Sequence, residues 1–239
     1  MKLVCSPEPL MLAQEKLNEI LLELNGLPIL LMLSGGSSLS ILDNVNSKNL
    51  SSNITVTVLD ERYSMDPAVN NFAQIERTKF FSDAIEKGCN FINTKVMENE
   101  SIDGLSNRFE LKLNEWLENN PNGKIVATVG IGDDGHIAGM MSYPNEIKFF
   151  DKLFNDGNHN NIVTAYNAEY RNEYPMRITS NMNMLRRIDF AVIFAQGEKN
   201  KAALINLFSN EGTLASTPAK IIREMEGEVV LFTDQNVTI

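Results

Sequence analysis

Short, almost wholly apolar runs alternate along this chain with longer stretches whose apolar positions recur every three or four residues. Pro28-Ile29-Leu30-Leu31-Met32-Leu33, Lys124-Ile125-Val126-Ala127-Thr128-Val129 and Asp189-Phe190-Ala191-Val192-Ile193-Phe194-Ala195 are of the first kind. Such continuous runs predict strands covered on both faces. Ile54-Thr55-Val56-Thr57-Val58-Leu59 reads as a strand by its β-branched content. Further strands are expected at 162–166, 175–179 and 228–232, with a short one around 91–96. Of the second kind, residues 8–27 place Leu10, Ala13, Leu17, Ile20, Leu21 and Leu24 at helical spacing, stopped by Asn25-Gly26 and Pro28. Ser101 to Glu118 does the same with Leu105, Phe109, Leu113, Trp116 and Leu117. Other helices are expected at Leu39–Leu42, from Asn70 to about Phe81, within Pro144–Gly157, from Asn181, from Lys199 to Phe208 and from Thr217. Repeated strand–turn–helix units predict an α/β fold: a doubly wound, mainly parallel sheet with helices on both faces.

Composition narrows the function. With 239 residues, 43% hydrophobic and 22% charged, the chain suits one globular domain spanning 1–239. A formal charge of −10 disfavours nucleic acid and anionic membranes as partners. An anionic ligand would need a few local cations. The two cysteines, Cys5 and Cys89, stand in no paired spacing, so neither a disulfide framework nor a zinc site is expected. No apolar run reaches membrane-spanning length and the opening residues lack a signal pattern, so a cytoplasmic location is expected.

Candidate chemistry collects where apolar runs end, the edge at which open α/β sheets hold ligands. Ser34-Gly35-Gly36-Ser37 follows one strand and precedes a helix, an arrangement whose free amides attract an anion. It is not a Walker loop, because no Gly-Lys-Ser/Thr follows; the alternative is a flexible turn. Asp60-Glu61-Arg62 closes another strand. Arg62 could grip a phosphate or carboxylate with its planar fork; the alternative is an Asp–Arg ion pair. Gly130-Ile131-Gly132-Asp133-Asp134-Gly135-His136 ends the run from Lys124. A neutral imidazole there, near a carboxylate, suits a general base. The alternative is a glycine-rich turn in which Asp134 caps a following helix. Lys199 sits in a helix's first turn, opposing the dipole, which favours a role toward an anion. His159, in a polar loop, reads as exposed and not as a ligand.

Taken together and in this order, Ser34-Gly35-Gly36-Ser37, Asp60-Glu61-Arg62, Asn71, Gly130 to His136, Pro175-Met176-Arg177-Ile178-Thr179 and Gly197-Glu198-Lys199 resemble the 6-phosphogluconolactonase family, of glucosamine-6-phosphate isomerase-like fold. The resemblance implies hydrolysis of 6-phospho-D-glucono-1,5-lactone, a step of the oxidative pentose phosphate pathway. It implies that His136 is the base and that Asp134 orients His136 or the sugar. It places Ser34, Gly35, Gly36, Ser37, Asp60, Arg62, Asn71, Arg177 and Lys199 at the substrate, with Arg62, Arg177 and Lys199 on its phosphate. It implies no metal, no organic cofactor, and a monomer or homodimer whose partner is a small sugar-phosphate lactone. Glucosamine-6-phosphate deaminases share Asp-Gly-His-Ile-Ala but usually continue Phe-Asn-Glu-Pro, whereas this chain has Gly139-Met140-Met141-Ser142. It also departs from the lactonase pattern, with Ser38-Leu39 in place of Thr-Pro and Gly139 to Pro144 in place of Ser-Leu-Phe-Pro. A deaminase/isomerase-like enzyme and a non-catalytic sugar-phosphate binder are therefore the alternatives.

Overall fold

Strands β1 (Lys2–Cys5), β2 (Ile29–Leu33), β3 (Ile54–Val58), β5 (Asn90–Phe91), β6 (Lys124–Gly130), β9 (Phe190–Ala195) and β10 (Glu228–Thr233) form one seven-stranded sheet in a computed structural model that describes residues 1–157 and 161–237. Their order is β1-β10-β9-β6-β2-β3-β5 and every pairing is parallel. A second sheet is antiparallel, in the order β4-β8-β7, from β4 (Asp60–Arg62), β7 (Val163–Asn167) and β8 (Met176–Ser180). The helices are α1 (Pro9–Glu23), α2 (Asn71–Ile75), α3 (Lys79–Glu86), α4 (Ile102–Asn119), α5 (Ile147–Phe154), α6 (Met182–Leu185) and α7 (Lys201–Phe208).

The strands' period of two sorts their side chains between two cores. Leu30 and Met32 of β2 pack with Leu105, Phe109 and Leu113 of α4 and Leu204 and Leu207 of α7. Ile29, Leu31 and Leu33 join Leu17, Ile20 and Leu21 of α1 on the other face, with Phe72 and Phe80. Helices on both faces explain why β2, β3 and most of β6 are apolar or β-branched without interruption. From β2 the chain winds toward β3 on one side and, through β6, toward β9 on the other. The carboxyl ends of β2 and β6 therefore flank a topological switch point, where a crevice opens.

Several expectations are corrected. The helix expected from Asn70 to about Phe81 is two helices, because Asn70 caps the first and the Thr78 side chain accepts the Phe81 N–H and starts α3 afresh. The segment after Ser34-Gly35 is a 3-10 helix, Gly36–Asn44, not an α-helix. There Ser38 and Ser40 return their hydroxyls to the carbonyls of Gly35 and Ser37, favouring the tighter i to i+3 spacing. The last expected helix is likewise 3-10, Pro218–Arg223. The strand around 91–96 shrinks to Asn90–Phe91. No helix follows Asp134; isolated bridges Ile131↔Ile137 and Ile137↔Met140 fold the chain back on itself instead. His159 lies outside the described residues.

Candidate active site

The crevice at the switch point is a cavity of about 240 Å³. It is lined by Ser34, Gly35, Gly36, Ser37, Asp60, Arg62, Asn71, His136, Arg177 and Lys199, together with Gly130 to Asp133, Ala138, Gly139 and Asn200. Every substrate-binding residue expected from the sequence thus lines one cavity. Asp134 does not; it lies behind His136.

His136 is held from three sides. Its Nδ1 lies 2.6 Å from Asp134 Oδ1, which also accepts the His136 backbone N–H at 3.0 Å. Gly132 donates its N–H to the His136 carbonyl at 3.0 Å. The imidazole packs so closely on Gly132 that a Cβ there would fall 2.8 Å from its Cγ. The flanking Ile137, Met140 and Met141 are buried in the core, which anchors the turn. Burial opposes ionisation of Asp134, but its hydrogen bond and charge attraction with His136 win, and its carboxyl is held below the ordinary value. An ionised carboxylate at Nδ1 favours a proton on that nitrogen and leaves the Nε2 lone pair free.

The opposite wall carries the cations. In the β4–β8 pairing Arg62 stands directly across from Arg177. Asp60 pairs with Arg177 at 3.2 Å, both side chains being buried, so the expected Asp–Arg pair exists with Arg177 and not with Arg62. Arg62 lies over the Tyr174 ring at 5.4 Å and makes no ion pair among the described residues; its buried Nε has no partner. Lys199 is exposed at the cavity's edge after β9. Its turn is fixed by Asp234, which accepts the Gly197 N–H at 2.9 Å where Gly197 takes φ +92°. Like charges directly opposite on paired strands are unfavourable unless a counter-charge joins them.

Backbone completes the cavity. Gly35 packs against Asn71, whose Nδ2 donates to the Asp60 carbonyl at 2.9 Å and whose Oδ1 has no partner. Ala138 and Gly139 both take positive φ, +47° and +72°. The hydroxyls of Thr179 and Tyr166 donate to their carbonyls and hold this strained turn in place. A Cβ at 139 would lie 2.6 Å from Asp60 Oδ2, so glycine there lets the turn pack directly on Asp60.

Sequence reasoning passed over Asp133, Asn200, Ala138 and Gly139 as lining residues. Asp133 stood in the quoted motif, and Asn200 follows Lys199 directly. Nothing in a linear sequence signals the left-handed Ala138. Among the described residues no group of three or more His, Cys, Asp or Glu could hold a metal ion. None of the described helices is long and apolar enough to cross a membrane.

Fold and cavity together define a doubly wound α/β protein with a histidine–aspartate pair facing a cationic wall across the carboxyl edge of its sheet. A family model described as glucosamine-6-phosphate isomerases/6-phosphogluconolactonase matches residues 13–231, and the chain belongs to that family. No curated protein sequence matches it significantly. Among solved structures it is similar to a 6-phosphogluconolactonase from Shewanella baltica OS155, at 19% identity and TM-score 0.73 over 97% of this chain and 96% of that one. It is similar to the 6-phosphogluconolactonase of Thermotoga maritima at 20% identity and TM-score 0.72, over 97% of each chain. The Trypanosoma brucei enzyme of the same name aligns at 16% identity and TM-score 0.71, over 97% of this chain and 95% of that one. These likenesses extend the fold over nearly the full length.

Proposed function

We propose that this protein is a 6-phosphogluconolactonase, a single domain that hydrolyses 6-phospho-D-glucono-1,5-lactone to 6-phosphogluconate in the cytoplasm as part of the oxidative pentose phosphate pathway. One observation carries the reading: Arg62 and Arg177 stand side by side on one wall, with Lys199 at the cavity's edge and His136, backed by Asp134, lining the same cavity. A dianionic phosphate supplies the counter-charge that Arg62 lacks, since Asp60 already pairs with Arg177. A few cations fixed at one rim act at short range, so the overall charge of −10 does not prevent anion binding. The free thiols of Cys5 and Cys89 agree with a reducing compartment.

In this mechanism Nε2 of His136 takes a proton from water as the water oxygen bonds to the lactone carbonyl carbon. The tetrahedral intermediate collapses with cleavage of the bond to the ring oxygen, which receives the proton back from His136. The new acid then ionises. Asp134 stays behind the ring, holds its orientation and stabilises the imidazolium formed in between. Amides of Gly35 to Ser37, at the start of a 3-10 helix, face an anionic part of the ligand. The family also includes glucosamine-6-phosphate isomerases, but the 139–142 stretch here carries no carboxylate to work beside His136.

The test is a coupled assay. The lactone is generated from glucose 6-phosphate by its dehydrogenase, and 6-phosphogluconate is followed by NADP reduction through the next dehydrogenase. Acceleration over the spontaneous rate supports the proposal. No acceleration by folded protein, with 6-phosphogluconate still bound, would assign it as a sugar-phosphate binder.

A further inference from the structure

Glu61 is fully buried, at 0% exposed, and does not line the cavity, yet it joins the parts that do. Its Oε1 accepts the N–H of Arg62 at 2.8 Å and that of Asn71 at 2.5 Å. Its Oε2 accepts the Phe72 N–H at 3.0 Å and the Thr94 hydroxyl at 2.7 Å. All four partners are donors, and none is a cation. Such a site suits a carboxyl group better than an amide, which would set N–H against N–H at one end.

We propose that Glu61 is a positioning residue for substrate binding, whose carboxylate ties β4 to the start of α2 and so holds Arg62 and Asn71 at the separation needed to grip one ligand together. This rests on the lactonase reading. The coupling is direct. Arg62 and Asn71 are both cavity residues, and both give their backbone N–H to the same oxygen. Asn71 also bonds the Asp60 carbonyl and packs on Gly35, so a shift of α2 moves three sides of the cavity at once. The His136 turn belongs to a different connection, after β6, and among the described residues makes no hydrogen bond to Glu61. A carboxylate so deeply buried is costly: burial pushes it up to about 7 despite its four hydrogen bonds. Retaining it suits a group kept for geometry.

The experiment compares wild type with Glu61→Gln and Thr94→Val at about pH 8, where the carboxylate is ionised. The readouts are kcat, KM for the lactone, the Kd of 6-phosphogluconate by calorimetry, and thermal melting. Glu61→Gln is expected to raise KM and Kd about tenfold while kcat stays within about threefold of wild type. Thr94→Val, which removes one donor and leaves α2 alone, is expected to raise both by about twofold to threefold. It serves as the deciding variant if Glu61→Gln does not fold. A lowered melting temperature with KM and Kd unchanged would show Glu61 to be structural only and overturn the proposal. If wild type lacks turnover but binds 6-phosphogluconate, the lactonase reading fails while the Kd comparison still decides on Glu61. If wild type neither turns over nor binds, both fall.

Discussion

Replacing Gly132 by alanine adds one methyl group and should disable the imidazole. A Cβ at this position would lie 2.8 Å from His136 Cγ and closer to Nδ1 and Cε1. Ordinary carbon contacts need about 3.5 Å or more, so the ring must retreat by about 1 Å. The Nδ1 to Asp134 separation, now 2.6 Å, then leaves hydrogen-bonding range. Gly132 is not among the glycines with positive φ, so alanine fits its backbone and the fold should survive. A misplacement of about 1 Å at a reacting group costs about 10²-fold in rate, or about 2.7 kcal/mol of barrier. Steady-state lactonase kinetics should show this loss in kcat, with the phosphate wall and hence KM little altered. Melting should stay near wild type. A Gly132→Ala protein with kcat within about threefold of wild type would refute the claim that the seated imidazole performs the chemistry.

Arg62→Ala should raise KM by about tenfold or more with little loss of stability, because Arg62 makes no ion pair among the described residues. Arg177→Ala should raise KM too, but also cost about 3 kcal/mol in urea unfolding, because it strands Asp60 buried and unpaired; equal stability losses in the two variants would contradict this division. Asp134→Asn should lower kcat by about 10²-fold at nearly constant KM, whereas a change confined to KM would place Asp134 on the sugar. Glu61 also sets a pH dependence. Its carboxyl is pushed up from 4.5 to about 7 in the folded chain, so the native state keeps a proton that the unfolded chain has released. The stabilisation is complete below the unfolded value and is lost as pH rises through the folded one, by about 3 kcal/mol. Urea unfolding from about pH 5 to about pH 8 should show this slope in wild type and not in Glu61→Gln; parallel curves would refute it.

The central strands were legible because burial on both faces leaves an unbroken apolar signature, as in β2 and β9. α1 and α4 were legible from their spacing. What was not legible depends on partners distant in sequence. Lys2–Cys5 is a short edge strand that, among the described residues, pairs only with β10, more than two hundred residues away. Asp60–Arg62 read as a charged strand end, but it is a strand in its own right because β8 pairs with it. That pairing sets Arg62 beside Arg177 and gives Asp60 to Arg177, an exchange no local pattern announces. Glu61 lay in a quoted motif between two cavity residues, yet its role appears only when α2 and Thr94 fold onto it. The glycine-rich Asp134 turn is there, but the fold-back bridges of Ile137 stand where a helix capped by Asp134 was the alternative.

The central claim is that His136 supplies the proton transfer while a separate cationic wall supplies the affinity. The most direct measurement pairs lactone turnover with 6-phosphogluconate binding in His136→Ala. The expected result is a rate close to spontaneous hydrolysis with product affinity within about threefold of wild type. Turnover near the wild-type rate in that variant would contradict the account.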